Sequence, residues 1–121
     1  MSFYRETVIK AVRKPRYCAG CGAIINAGER ALDCSGKHNG DFWSAIYHQE
    51  CRVAECALND LRDYRWNDEW AALSGIEWED WPWLIDEHPS VAKRMKITAE
   101  RYQKVADEQE RCRLAFARVK P

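Results

Sequence analysis

Two short chelating pairs, Cys18-x2-Cys21 and His48-x2-Cys51, constrain this chain more than any other feature; twenty-six residues separate them. A tetrahedral zinc ion needs four soft or borderline donors, and each pair supplies two from a single turn. In the first pair, Gly20 and Gly22 relieve the backbone so that both sulfurs can face inward. The small residues also free backbone amides to donate to the thiolates. In the second pair, His48 and Cys51 lie three apart and share one face of a first helical turn. Three cysteinates and a neutral imidazole close the coordination sphere, so the expected ion is a single structural Zn2+, held by Cys18, Cys21, His48 and Cys51. No catalytic residue is assigned, and the chain reads as a non-enzyme. A competing set, Cys18, Cys21, Cys34 and His38, has nearly the spacing of a two-Cys, two-His finger. It is disfavoured because no helical pattern surrounds Cys34 and His38, where Gly36, Asn39 and Gly40 signal a loop.

The charge is balanced in total and uneven in distribution. The 121 residues carry 19 basic and 19 acidic side chains, and the length fits one domain. Residues 1–58 sum to +2, residues 59–88 to −7 and residues 89–121 to +5. A neutral total argues against a generic nucleic-acid coat or a polybasic membrane binder. No run of eighteen apolar residues exists, and residues 1–14 lack an apolar leader stretch. The expectation is a soluble cytoplasmic protein with no membrane partner, and in that reducing setting six cysteines point to metal before disulfide. Cys34, Cys56 and Cys112 are then left as reduced thiols.

Residues 7–14 read as a short strand ended by Pro15, and residues 23–26 and 30–34 as a hairpin-like pair around Gly28-Glu29. Ser35-Gly36 and Asn39-Gly40 signal a loop, and residues 41–47 an aromatic strand. From residue 48 to about 65, apolar positions recur at three and four, which is one face of a helix. Asn67 is placed to cap a short helix bearing Trp70 and Leu73 and closed by Gly75, with Trp66 and Trp70 on one face. Residues 76–88 read as irregular around Trp81-Pro82-Trp83. After Pro89, no Pro or Gly interrupts the chain until Pro121, which predicts one helix of roughly thirty residues. Its heptad seam suits either a fold-back onto the tryptophans, as a monomer, or a coiled-coil homodimer. The fold class is therefore α+β: knuckle, β-hairpin and helix in treble-clef order, then a helical Trp-rich segment and a long C-terminal helix. The expected divisions are a zinc-binding head over 1–66, an acidic Trp-rich segment over 67–88 and the C-terminal helix over 89–121.

The strings KPRYCAGCGAIINAGERALDCSG and DFWSAIYHQEC resemble small treble-clef zinc proteins of bacteriophages and prophages. The shared features are a Cys-x2-Cys-Gly knuckle, an Ile followed by Gly-Glu, a Ser-Gly turn, an aromatic strand and His-x2-Cys. More distantly, the skeleton is similar to the poly-ADP-ribose-polymerase-type finger and to the first half of a LIM domain. The resemblance covers residues 7–60 and implies the same four ligands, a hairpin turn at Gly28-Glu29, and Trp43 packed beside the metal. It brings no defined activity, because treble clefs serve DNA binding, protein docking and nuclease scaffolds alike.

Three functional classes follow. The first is a zinc-stabilised docking module for a protein or nucleoprotein partner. Trp78, Trp81 and Trp83, with Glu79 and Asp80, are the candidate contact residues, because tryptophan is enriched at binding hot spots and the acidic rim suits a basic target. In the phage setting that the resemblance implies, the target would be a host defence complex to be inhibited. The second is direct DNA or RNA binding through Lys14, Arg16, Arg30 and Lys37, aided by Arg13 and the basic tail. The third, disfavoured, is a nuclease using His38 as base with Asp33 and Asp41, which would need a second, open metal site. His88, just before Pro89, reads as a helix-start residue.

Overall fold

The computed structural model describes residues 3–38, 40–64 and 70–119. The readings that concern Trp66, Asn67 and the His38 side chain lie outside the described residues. The chain is mixed α plus β and divides into two units, Met1–Ile76 and Glu77–Pro121.

The first unit is built on an antiparallel sheet ordered β1 (Phe3–Ile9), β4 (Ala31–His38), β5 (Asp41–Tyr47). A second, two-stranded ribbon pairs β2 (Arg16–Tyr17) with β3 (Ile24–Ile25). The helix α1 spans Gln49–Leu61. The register puts Tyr4, Glu6 and Val8 on the same face as Leu32, Cys34 and Gly36, and as Trp43, Ala45 and Tyr47. That face meets α1 through hydrogen bonds from Tyr47 and Arg52. On the opposite face Arg5, Thr7, Asp33, Lys37 and Ser44 are exposed, while Ala31 and Ile46 are buried, so that face is open to solvent except at the end of the sheet that carries these two.

The first strand is expected over 7–14 but runs earlier, because Phe3 to Ile9 pair residue by residue with Lys37 to Ala31. Ser35 and Gly36 are not a loop. They continue β4, with Gly36 paired to both Tyr4 and Trp43. The physical reason lies across the strands: the Tyr4 and Trp43 rings lean together at a centroid distance of 5.8 Å. They stack over the one β4 position without a side chain, as aromatic pairs prefer in offset geometry. The reversal comes later, at Gly40 (φ 87°), in a two-residue connection closed by the His38–Asp41 pair.

Within the stretch 76–88, expected to be irregular, residues 78–87 of the second unit are helical. A short 3-10 turn, Trp78–Asp80, leads into α2 (Trp81–Glu87), with Pro82 in its first turn, where the missing N–H costs nothing. The single long helix expected after Pro89 is two helices, α3 (Pro89–Arg94) and α4 (Ala99–Val119). The break has a local cause. Lys96 adopts φ 58°, and the Ile97 amide reaches back to the Ala92 carbonyl at 2.9 Å, the six-to-one bond of a Schellman stop. Buried Ile97 anchors the stop from within. Thr98 then restarts the chain, its Oγ1 accepting from the Arg101 amide at 3.1 Å as a helix cap. Val91 and Leu84 form the buried centre of this unit.

Two substitutions test this break. Lys96→Gly is expected to stabilise the second unit by about 1 kcal/mol, since a side chain in the left-handed region costs that much. Thr98→Ala is expected to destabilise it by about 1 kcal/mol through loss of the cap. Urea unfolding followed by circular dichroism reads both.

Candidate metal centre

The donor atoms of Cys18, Cys21, His48 and Cys51 all lie within 4.8 Å of one another. Two separate pieces of chain deliver them. Cys18 and Cys21 sit in the turn between β2 and β3; His48 follows β5 and is the N-cap of α1; Cys51 lies in the first turn of α1. His48 turns its Nδ1 toward the sulfurs, 3.4 Å from Cys21 Sγ and 3.8 Å from Cys51 Sγ. Bond lengths of about 2.3 Å to sulfur and about 2.05 Å to nitrogen, at a tetrahedral angle, predict sulfur–nitrogen edges of about 3.6 Å. The four residues therefore fit one metal ion in size as well as in donor chemistry.

The two glycines of the knuckle have different reasons. Gly22 occupies the left-handed region at φ 77° and donates to the Cys18 carbonyl at 3.0 Å. Gly20 is there for space. A Cβ at that position would stand 3.1 Å from the Cys51 Cβ, 3.2 Å from a Tyr47 ring carbon and 3.3 Å from a Leu73 methyl. The knuckle thus presses directly on the end of β5, the first turn of α1 and the turn Leu73–Gly75. The Ala19 amide adds a hydrogen bond of 2.8 Å to the Ile46 carbonyl.

Backbone amides surround the sulfurs. Cys18 Sγ accepts from Gly20, Cys21 and His48 at 3.3, 3.5 and 3.3 Å, and Cys21 Sγ accepts from Ala23 at 3.4 Å. A hydrogen bond from Cys51 and these amides hold the Cys18 thiol at about 4, far below the ordinary thiol range. Cys51 moves up instead, chiefly because it gives that hydrogen bond and because it is buried next to a thiolate. Cys21 is also raised, first by burial. Among bare sulfurs only one carries charge comfortably. A divalent cation removes this conflict, since each ligand deprotonates on binding. The N-terminal end of α1 adds a positive dipole beside the same thiolates.

A turn forms before Glu29, whose amide donates to the Asn26 carbonyl at 3.0 Å with Gly28 at φ 90°, but it is not the expected hairpin over 23–34: β3 pairs with β2 and β4 with β1 and β5, so the turn joins two different sheets. Its glutamate does more than shape the turn. Besides accepting from Asn26, the Glu29 carboxylate lies 3.9 Å from His48 Nε2, the ring nitrogen turned away from the sulfurs. A carboxylate behind a ligating imidazole is a common orienting partner, and at 3.9 Å this one acts through its charge rather than a direct hydrogen bond. Trp43 does not pack beside the cluster. It stands five residues before His48, about 16 Å back along an extended strand, and stacks on Tyr4. The ring against the knuckle belongs to Tyr47.

A buried polar network that the sequence reading missed braces the same helix. Glu55 is 1 % exposed. Its Oε2 accepts from Tyr47 OH at 2.8 Å and Arg52 Nη1 at 2.7 Å, and its Oε1 accepts from the Leu73 amide at 2.9 Å. Arg52 also donates from Nε and Nη2 to Tyr4 OH, and its guanidinium lies 5.1–5.3 Å from the Tyr4, Tyr47 and Trp70 ring centres. Burial, with the Glu55 bond, pushes the Tyr47 hydroxyl well above its usual range. Asn59 is fully buried, donating to the Glu55 and Ala71 carbonyls and accepting from the Ala71 amide at 2.7 Å. The segment 71–73 is thereby strapped to α1 over the knuckle. The signal was present: Arg52, Glu55 and Asn59 fall at three- and four-residue spacing on the helix face of Cys51, Ala54 and Leu58.

The remaining cysteines are not members of the cluster. Cys34 is buried in the sheet, Cys56 half-buried and Cys112 exposed, and none forms a disulfide. Burial raises the Cys34 thiol. Trp78 tilts against Tyr102, Trp83 stands edge-on to His88, and the Trp81 ring is covered by the Arg101 guanidinium at 5.0 Å. All three tryptophans are half-buried; Glu79 is exposed and Asp80 half-buried. Lys14, Arg16, Arg30 and Lys37 are exposed. Lys37 stands seven residues along β4 from Arg30, about 23 Å away. No helix among the described residues is long and apolar enough to cross a membrane. No family model, curated protein or solved structure matches the chain.

Two changes probe the centre. Glu29→Gln should weaken metal affinity about 10-fold in chelator competition while leaving the four ligands in place. Glu55→Gln should destabilise the first unit by about 3 kcal/mol in urea unfolding, because it strands Arg52 and turns an amide donor into a site built for acceptors.

Proposed function

We propose that the chain is a non-enzymatic docking module whose first unit is a treble-clef finger held by one structural zinc ion. The observation that carries this reading is the closed donor set. Three sulfurs and one imidazole nitrogen are mutually spaced for a tetrahedron, His48 and two of the cysteines are buried, and the sulfurs are hydrogen-bonded by amides. A catalytic zinc keeps a position for water or substrate, and four protein donors leave none. The order of elements, knuckle then hairpin then helix bearing the last two ligands, supports the treble-clef assignment.

The partner side of the proposal rests on charge. Residues 77–88 carry five acidic and no basic side chains, and Glu77, Glu79, Asp86 and Glu87 are exposed around the half-buried tryptophans. A rim of this kind fits a basic face on a protein or nucleoprotein partner, where complementary potentials set orientation and encounter rate.

The test is metal analysis of the purified full chain, expected to find one zinc per chain and a chelator-induced fall in melting temperature. Cobalt substitution separates structural from catalytic zinc. A tetrahedral absorption band unchanged by added cyanide or imidazole supports a closed site; a band that shifts on their addition sinks it. For the rim, Glu79→Lys with Glu87→Lys should abolish salt-sensitive capture of a lysine-rich peptide.

A further inference from the structure

We propose that the outer edge of β1 docks an extended peptide strand of a partner protein. The strand adds to the sheet beside Phe3–Ile9 and sets an apolar, a basic and an apolar residue, at alternate positions, against Val8, Glu6 and Tyr4. This surface belongs to the first unit and goes beyond the acidic rim, which lies in the other.

β1 is seven residues long and pairs on one side only, with β4. In an antiparallel pair alternate residues turn their N–H and C=O toward the neighbour, and the others turn them away. Among the described residues, no backbone group outside β4 pairs with those outward groups of β1. The other edge of the sheet differs: at β5 the Ala19 amide takes the Ile46 carbonyl at 2.8 Å, and Ile46 and Tyr47 are buried. The side chains of β1 are uncovered as well. α1 packs over β4 and β5 and leaves Tyr4 48 % and Val8 43 % exposed. Tyr4, Glu6 and Val8 line one groove with Val53 and Trp70, themselves exposed, and its volume is about 1520 Å³. A small-molecule pocket is about 300–1,000 Å³, so the space suits the side chains of a passing strand.

Charge decides which strand. Two copies of β1 paired antiparallel about a two-fold axis meet at a central residue that faces its own copy. The register of full overlap sets Glu6 against Glu6, and a shift one way sets Arg5 against Arg5. Like charges directly opposite are destabilising. The shift the other way leaves Arg5 and Glu6 opposite Ile9 and Val8, with neither charge matched. A foreign strand can match both. Glu6 lies between Tyr4 and Val8 on the groove face, and Arg5 and Thr7 lie on the other. Arg52 is shared between Glu55 at 2.7 Å and Glu6 at 3.6 Å, so one guanidinium faces two carboxylates and negative charge is left for an incoming cation. Lys37 also reaches the groove, but opposite Phe3, about 10 Å along the strand from Glu6. An antiparallel strand reading Val-Thr-Lys-Glu-Val sets lysine against Glu6, glutamate against Arg5, and valines against Val8 and Tyr4. Main-chain bonds then give affinity and the alternate side chains give selectivity.

The experiment is fluorescence anisotropy with the full chain and a labelled peptide Ser-Val-Thr-Lys-Glu-Val-Ser, beside its isomer Ser-Val-Thr-Glu-Lys-Val-Ser. The first should bind about 10-fold more tightly, because the isomer turns two attractive cross-strand pairs into repulsive ones. Arg5→Glu with Glu6→Lys should reverse that preference. Methylating alternate backbone nitrogens of the peptide should abolish binding in one phase and spare it in the other, since only one set of amides faces β1. No saturable binding by about 1 mM peptide overturns the proposal. So do equal affinities for the two isomers, and binding that survives both methylation phases. A dimer of the free chain in sedimentation that protects β1 amides from hydrogen exchange assigns the edge to a second copy and overturns it too. Glu79→Lys with Glu87→Lys should leave peptide binding unchanged; its loss would place the peptide on the acidic rim and sink the proposal. Zinc content is read on the same preparations, so failure of strand binding is distinguishable from failure of the metal centre.

Discussion

Four donor atoms drawn within 4.8 Å of one another set the arrangement of the first unit. The β2–β3 turn and the junction of β5 with α1 are two pieces of chain far apart in sequence that meet at this point, where the Ala19 amide also bonds the Ile46 carbonyl. The hydrogen bonds given by Cys51 and by backbone amides hold Cys18 low, while Cys21 is raised first by burial and Cys51 first by the hydrogen bond it gives to Cys18. A divalent cation held by the four donors would let all three sulfurs carry charge at once. A small head gains from such a link, because metal binding energy is then folding energy.

The helix next to the centre is braced by polarity more than by oil. Glu55 collects donors from Tyr47, Arg52 and Leu73, and Asn59 pairs with Ala71 in the manner of a neighbouring strand. Each buried charge has its complement, and each bond has a direction. The network therefore fixes where segment 71–73 lies, and with it the Leu73 methyl that closes over Gly20. Apolar side chains of the same volume would bury as much area without specifying that register. The metal centre and this network share α1, so Cys51 and Arg52, adjacent in sequence, anchor one helical turn to two different constraints.

The two units differ in how readable they were. In the first, the metal cluster was legible because chelation imposes a spacing that chance rarely meets, β5 from its aromatic residues and α1 from its three-to-four-residue period. The Ser35-Gly36 turn signal misled because local propensity was overridden by Tyr4 and Trp43 stacking from the flanking strands. In the second unit, the helix after Pro89 was visible but its interruption was not. A lysine in the left-handed region carries no signature, and Thr98 shows its meaning only once the stop before it is seen.

Sequence alone determined which atoms could bind a metal, the α+β character of the chain and its division into regions of opposite charge, since these depend on residue type and spacing. Tertiary structure decided which polar residues turn inward, that Glu29 stands behind His48, and that Tyr4 and Val8 are left exposed while Tyr47 is buried. Those outcomes depend on partners distant in the chain. A side chain's environment is set by what the fold brings to it, and no local pattern records that.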